Sequence, residues 1–222
     1  MSHQIKRAAL ACVAAVAVLG ACSLPQLRPR NFMTFFVTSS GLGKGADLGG
    51  LLGADAHCQR LADSVGAGQY RWHAYLSTQP VGGQAGSNAR DRIGKGPWIN
   101  AKGVAIANDL DQLHGANNLS KQTALTETGQ VVSGRGDTPN MHDVLTGSQP
   151  GGTFIAGDAN STCGNWTMGS GGAATVGHHD KTGLDESVPA KSWNSSHQSR
   201  GCSMDQLKAS GGGGLYYCFA AD

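Results

Sequence analysis

The hydrophobic pattern opens with a short apolar run behind a charged start. Lys6 and Arg7 precede the apolar run from Ala8 to Leu19, and small residues follow it. This run is too short and too rich in alanine for a stable membrane span, so the order predicts a secretory signal over residues 1–21. These residues take no part in the predicted fold.

The next part of the pattern predicts a strand and a helix. Aromatic and β-branched residues fill Phe32 to Thr38, which indicates a strand. After a glycine-rich loop from Gly41 to Gly53, apolar positions recur at three-and-four spacing from Cys58 to Val65. That spacing predicts a helix that starts at Asp55 and ends at Gly66, with its cysteine on the buried face.

The remaining pattern is made of short elements separated by turns. It predicts strands at 72–76, 104–106, 144–148, 164–167 and 215–219, and a weak helix at 88–93. The segments 144–148 and 164–167 are expected to be neighbours in one small sheet. Residues 109–140 are polar and turn-rich, and their periodicity predicts little. These elements indicate an α+β fold with small antiparallel sheets, one or two helices and long loops.

Composition indicates an ordered but loop-rich domain without a nucleic-acid partner. The chain has 34 glycines, and they do not recur at every third position as in collagen. Removal of residues 1–21 from the 222 leaves 201, a length that suits one domain over 32–222. It also takes Lys6 and Arg7 from the 17 basic residues, which leaves 15 against 15 acidic residues. This neutral balance, with no basic run, argues against nucleic-acid binding.

The end of the signal indicates a lipid anchor. Leu19-Gly20-Ala21-Cys22 resembles the lipobox of bacterial lipoproteins, in which the peptidase cuts before the cysteine and acyl chains are then added. Ser23, instead of aspartate, resembles the pattern that is sorted to an outer membrane. Residues 22–31 contain two prolines and are expected to form an extended tether. The alternative is a plain signal peptide with an incidental cysteine.

Four cysteines are left for the domain once Cys12 in the signal and Cys22 at the anchor are set aside. They are Cys58, Cys163, Cys202 and Cys218. Four cysteines in an exported chain predict two disulfides, with three possible pairings. A zinc site is the competing interpretation, but no two of them have the two-to-four-residue spacing that zinc sites favour.

The order of these motifs resembles the C-type-lectin-like fold. A strand, a cysteine-bearing helix and long loops are followed by Cys163-x-x-Trp166, Trp193-Asn194 and Tyr217-Cys218-Phe219. More narrowly, the run Leu-Gly-Gly-Leu-x-Gly-Ala-Asp-Ala-x-Cys at residues 48–58 resembles bacterial endostatin-like lipoproteins, among them outer-surface proteins of spirochaetes. The resemblance covers about residues 32–220.

This resemblance implies a disulfide pairing and a kind of function. In that fold the helix cysteine pairs with the last one, which implies Cys58 with Cys218 and Cys163 with Cys202. Relatives of the spirochaetal type bind host matrix and complement proteins. We therefore expect an adhesin-like, lipid-anchored envelope module that contacts an extracellular protein or glycan through loops between residues 109 and 194, and no enzyme. A carbohydrate-binding lectin of the envelope and a structural envelope lipoprotein are the alternatives.

Calcium is possible but not favoured as a cofactor. Sugar-binding relatives carry Glu-Pro-Asn or Gln-Pro-Asp in the long loop and Trp-Asn-Asp near the third cysteine. This chain has Gln149-Pro150-Gly151 and Trp193-Asn194-Ser195, and both lack the carboxylate. Calcium prefers six to eight oxygen ligands with carboxylates among them, so these replacements argue against a site. A site rebuilt from Asp180, Asp185 and Glu186 within one loop is the alternative.

The candidate ligand-binding residues all have a simpler interpretation as well. They are Trp166, His178, His179, Asp180, Trp193 and Asn194. Two neighbouring histidines on a strand point to opposite faces and rarely bind one metal unaided, so a surface loop is expected there. No nucleophile motif such as Gly-x-Ser-x-Gly is present, and no catalytic or metal-binding residue is predicted. The tryptophans fit core packing against a disulfide, or exposed contacts with a sugar or protein.

The segment Arg135-Gly136-Asp137 matches an integrin-binding tripeptide. Its glycine-rich surroundings predict an ordinary turn.

Overall fold

The structure is a computed structural model that describes residues 31–157 and 160–222. The predicted signal at 1–21, the anchor at Cys22 and nearly all of the tether lie outside these residues. The strands are β1 Phe35–Val37, β2 Trp72–Ala74, β3 Trp98–Ile99, β4 Ala105–Ala107, β5 Asp143–Leu145, β6 Thr175–His178, β7 His197–Gln198 and β8 Gly212–Ala220. The helices are α1 Gly50–Ser64, α2 Leu110–His114, the single turn α3 Cys163–Trp166 and α4 Met204–Ser210, with 3-10 turns at Ala89–Arg92 and Pro189–Lys191.

The last strand, β8, is the centre of the main sheet. Strands β1 and β2 pair with it in antiparallel orientation, and β5 pairs with it in parallel. From β5 the sheet continues through β6 to β7, while β3 and β4 form a separate two-stranded sheet. The protein is therefore an α+β fold with small sheets and few helices, as the sequence predicts, although one pair of strands is parallel.

The main sheet is covered on both faces. Side chains on β8 alternate between two cores, with Tyr216 and Cys218 in the core that contains α1 and Tyr217 and Phe219 in the other. This alternation follows from the period of two along a strand. A strand buried on both faces needs a continuous run of apolar residues, and the segment Leu215-Tyr216-Tyr217-Cys218-Phe219 supplies it.

Both disulfides of the expected pairing are present. Cys58 of α1 is bonded to Cys218 of β8 across 160 residues, and Cys163 is bonded to Cys202 across 39. The first bridge fixes the long helix to the central strand. The second fixes α3 to the segment that precedes α4.

The predicted strand at 164–167 is wrong. Gly164 and Asn165 have φ angles of 63° and 54°, so α3 is a left-handed turn. Glycine has no Cβ penalty in this region, and asparagine tolerates it. The turn directs Trp166 into the core, where its Nε1 donates to the carbonyl of Ser77 at 2.8 Å.

The predicted start of α1 at Asp55 is also wrong, since the helix begins at Gly50. Asp55 does not cap it. Its carboxylate instead accepts from the Ala74 N–H at 2.8 Å and forms a largely buried ion pair with Arg92 at 2.7 Å. The carboxylate therefore links α1 to β2, and this contact cannot be read from local sequence.

Candidate metal centre

Three neighbouring strands place two histidines and an aspartate on one face of the main sheet. Asp143 on β5 lies directly opposite His178 on β6, and Val176 lies opposite His197 on β7. Residues two apart on a strand share a face, so the Asp143, His178 and His197 side chains all lie on the same side. His142 precedes β5, and its imidazole stacks on that of His178 with ring centroids 4.1 Å apart.

Three imidazoles surround one carboxylate oxygen of Asp143. The Nε2 atoms of His142, His178 and His197 lie 3.2, 3.3 and 3.5 Å from its Oδ1. Charge-assisted hydrogen bonds are shorter, about 2.7 to 2.9 Å. Within the described residues, both oxygens of Asp143 and the Nε2 of His178 are buried without a hydrogen-bond partner. Buried polar groups in proteins normally have a hydrogen-bond partner, and these three atoms are exceptions.

These separations match the geometry of a zinc site. Zinc binds imidazole nitrogen at about 2.0 to 2.1 Å and carboxylate oxygen at about 2.0 to 2.2 Å, in a tetrahedron whose edges are therefore about 3.3 Å. The donor atoms of His142, Asp143 and His178 also lie within 4.8 Å of one another. His142, Asp143 and His178 are thus spaced as ligands of one ion, and His197 lies 3.5 Å from Asp143 beside that group.

The second nitrogen of each imidazole faces an oxygen. The Nδ1 distances are 3.4 Å from His142 to the Asp180 carboxylate, 2.7 Å from His178 to the Ala190 carbonyl and 3.0 Å from His197 to the Gln198 carbonyl. A proton on the Nδ1 of His178 or His197 suits these carbonyl acceptors and leaves the Nε2 lone pair of that ring directed at the cluster. Metal-binding histidines are oriented in this way by carboxylates and carbonyls around them.

The cluster has the charge that a cation needs. Burial raises the pKa of Asp143, but the neighbouring His178 and His197 outweigh it and hold that pKa below its usual range. Burial likewise opposes ionisation of Asp180, yet His142 and two backbone N–H groups lower its pKa well below the ordinary value. Asp143 in turn raises the pKa of His197, so that imidazole takes up a proton more readily than an ordinary histidine. Both carboxylates are therefore ionised at neutral pH.

Gly177 allows the neighbouring loop to lie against β6. A Cβ at this position would overlap the carbonyl of Trp193. The close approach lets the His178 N–H donate to the Ser192 carbonyl at 2.9 Å. Because the chain then runs directly into β7, this contact positions His197 beside the cluster.

Of the predicted ligand-binding residues, the structure places His178 and Asp180 in this centre. The expected surface loop at 178–180 is wrong, since all three side chains are buried. His179 points away from the cluster, as expected for its neighbour on a strand, and its Nε2 lies 3.2 Å from the Ser133 carbonyl. The sequence interpretation missed His142, Asp143 and His197, because only the strand register brings them to His178.

The other predicted residues lie in the core. Trp166 is fully buried, and Trp193 is 5% exposed and packs on Tyr75 with ring centroids 4.8 Å apart. Asn194 is buried as well, and its amide donates to the hydroxyl of Tyr75 at 2.9 Å. The structure therefore favours core packing, and not exposed ligand contacts, as the role of Trp166 and Trp193.

The two segments compared with calcium-binding sites do meet. The Asn194 amide donates to the carbonyls of Gln149 and Pro150 at 3.2 and 3.1 Å. An N–H group is directed into this space where a calcium ligand would present an oxygen. The geometry therefore does not suit calcium at this position.

The tripeptide at 135–137 forms a turn, in which the Asp137 N–H donates to the Gly134 carbonyl. The Asp137 carboxylate is bound to Lys121 at 2.6 Å and to the Gly134 N–H at 2.8 Å. It is therefore already engaged within the protein.

Comparisons with known proteins do not identify a family for this chain. No protein-family model matches the chain, and no curated protein sequence matches it. Among residues 31–157 and 160–222, none of the helices has the length and apolar character to span a bilayer.

Proposed function

We propose that this protein is an exported binding module organised around a zinc-type metal centre, with His142, Asp143 and His178 as ligands and His197 beside them. The observation that carries this proposal is the convergence of three Nε2 atoms on the buried Oδ1 of Asp143 at 3.2 to 3.5 Å. A buried carboxylate without a hydrogen-bond partner is costly, and a bound cation offsets that cost. Imidazole and carboxylate donors in a tetrahedron suit zinc among the common divalent ions.

The proposed ligands are buried, and an exposed histidine lies beside them. Asp143 and His178 lie on adjacent strands and are buried, whereas the side chain of His197 is 40% exposed. Three protein donors leave the fourth position of a tetrahedral zinc ion for another ligand. The ion would therefore hold β5 and β6 together, and the exposed His197 marks the side of the site that an incoming group can reach.

The scaffold and the location form part of the same proposal. Pairing of β1 with β8, together with the disulfide from α1 to β8, supports a C-type-lectin-like, endostatin-like fold. Two disulfides favour an oxidising compartment. An acyl anchor at Cys22 would attach the module to the outer membrane, facing the periplasm or the cell exterior. The loops around the metal centre would then bind the protein or glycan ligand.

Direct titration tests the metal centre. Isothermal titration of the chelator-treated mature chain with zinc chloride at pH 7.5 should show one zinc bound per chain. His178→Ala and Asp143→Asn should each weaken binding about 100-fold or more, because loss of even a supporting residue costs about 10- to 100-fold. His73→Ala is the matched control, since His73 pairs with Phe219 near the other end of β8. Absence of saturable binding, or equal binding by His178→Ala, would contradict the proposal.

Membrane fractionation tests the anchor. Cys22→Ser should release the protein from membranes into the soluble fraction, because no thioether and hence no acyl chain is formed at serine. Ser23→Ala is a suitable control that keeps the cysteine. A Cys22→Ser variant that stays with the membranes would show that another feature holds the protein there.

A further inference from the structure

An open cleft of about 400 Å³ lies beside the proposed metal centre. Its wall includes two of the proposed ligands, His142 and His178, and the neighbouring His197. The fourth position of an ion held by His142, Asp143 and His178 would lie on the side of His197 and the cleft. A ligand in the cleft would meet the ion directly.

Two arginines line the same cleft. Arg135 and Arg200 are both exposed. Within residues 31–157 and 160–222, neither guanidinium takes part in an ion pair or a hydrogen bond. Their backbones are fixed, since the Arg135 N–H donates to Asp180 at 2.7 Å and the Arg200 N–H to Ser210 at 2.8 Å. The guanidinium groups of Arg135 and Arg200 are thus free to bind a ligand, while the backbone that carries them is held by hydrogen bonds.

Positive charge dominates this cleft once an ion is bound. Among the described residues, Asp185 supplies the only carboxylate of the lining, and it accepts a hydrogen bond from the Ser187 N–H. The divalent ion and the two guanidiniums still outweigh the three carboxylates of Asp185, Asp143 and Asp180. A guanidinium binds carboxylate and phosphate groups through two parallel hydrogen bonds, which an ammonium cannot do.

The lining also contains two apolar side chains. Leu184 lines the cleft and is 87% exposed, and Ala190 lines it as well. Contact between this leucine and an apolar group of a ligand would remove apolar surface from water, which is favourable. The cleft therefore offers both cationic and apolar contacts.

We propose that this cleft binds an organic oxyanion, a carboxylate or phosphate group attached to an apolar moiety. The oxyanion contacts the metal ion and the guanidiniums of Arg135 and Arg200, and the apolar moiety lies against Leu184. This inference rests on the proposed metal centre. It assigns that centre a class of ligand.

Titration of the zinc-loaded mature chain with phenyl phosphate and with benzoate tests the inference, and it shows which oxyanion is preferred. At least one should bind saturably, and benzamide, a neutral analogue of benzoate, should bind at least tenfold more weakly. Arg135→Ala with Arg200→Ala should weaken oxyanion binding at least tenfold and leave zinc affinity unchanged. Arg71→Ala is the matched control, because Arg71 is exposed and pairs with Asp222 away from the cleft.

The outcomes separate this inference from the metal centre itself. Stoichiometric zinc binding without oxyanion binding, or equal oxyanion binding by the double arginine variant, would overturn the inference and leave the metal centre in place. Absence of zinc binding in the first titration would overturn both. Loss of oxyanion binding on chelation, with the fold retained by circular dichroism, supports the role of the ion.

Discussion

Zinc at a thousandfold excess over its dissociation constant should stabilise the mature chain by about 4 kcal/mol. For a domain of this size, that free energy raises the melting temperature by about 10 °C. The reason is that folding brings His142 and Asp143 together with His178 from a distant segment of the chain, so the unfolded chain has no comparable site. Calorimetry at pH 7.5, with zinc chloride against excess chelator, measures the difference.

Four comparisons make this result specific. Asp143→Asn should lose most of the gain, whereas His73→Ala should keep it. Calcium or magnesium at the same concentration should give no comparable shift, because these ions prefer oxygen ligands. At pH 5 the gain should disappear, since protonated imidazoles do not bind metal. Equal melting temperatures with zinc and with chelator at pH 7.5 would rule out a zinc centre.

Removal of the disulfide between Cys58 and Cys218 should lower the free energy of unfolding by up to about 5 kcal/mol. In the loop-entropy model, a bridge that spans 160 residues restricts the unfolded chain strongly. The chain has 34 glycines, which lose the most conformational entropy on folding, so this restriction matters here. Urea unfolding of the Cys58→Ala, Cys218→Ala double variant measures the loss.

The second bridge supplies the comparison. Cys163→Ala with Cys202→Ala opens a loop of 39 residues, for which the same model gives about 4 kcal/mol. The Cys58–Cys218 bridge should therefore contribute about 1 kcal/mol more to stability than the Cys163–Cys202 bridge. If the Cys58→Ala, Cys218→Ala variant were as stable as the parent chain, the bridge would be redundant with the packing of α1 on β8.

Sequence patterns predicted the parts of the fold that rest on apolar burial. β8 has an unbroken apolar run, and α1 has three-and-four spacing, so both were found. β6 and β7 were missed because they are short and end or begin with histidine, which the pattern assigns to loops. The left-handed turn at 163–166 was missed as well, although its Gly164-Asn165 pair is a recognisable signal for that backbone.

The metal centre was harder to predict than the fold. The sequence singles out His178, but as one of two neighbouring histidines that rarely bind one metal unaided. Asp143 and His197 reach it only through the pairing of β5, β6 and β7, which depends on contacts between distant segments. Local sequence carries no information on that register, so residue types alone indicate a solvated loop.

The antiparallel pairing of β1 with β8 places the start of β1 and the metal centre near opposite ends of β8. Phe35 at the start of β1 lies opposite Phe219, near the end of β8, while Asp143 lies opposite Gly212, at its beginning. Phe219 and Gly212 are seven positions apart on β8, so these points are separated by about 23 Å. An acyl anchor at Cys22, as proposed above, would thus attach to the chain on the Phe35 side of the domain, while the cleft lies near the opposite end of β8.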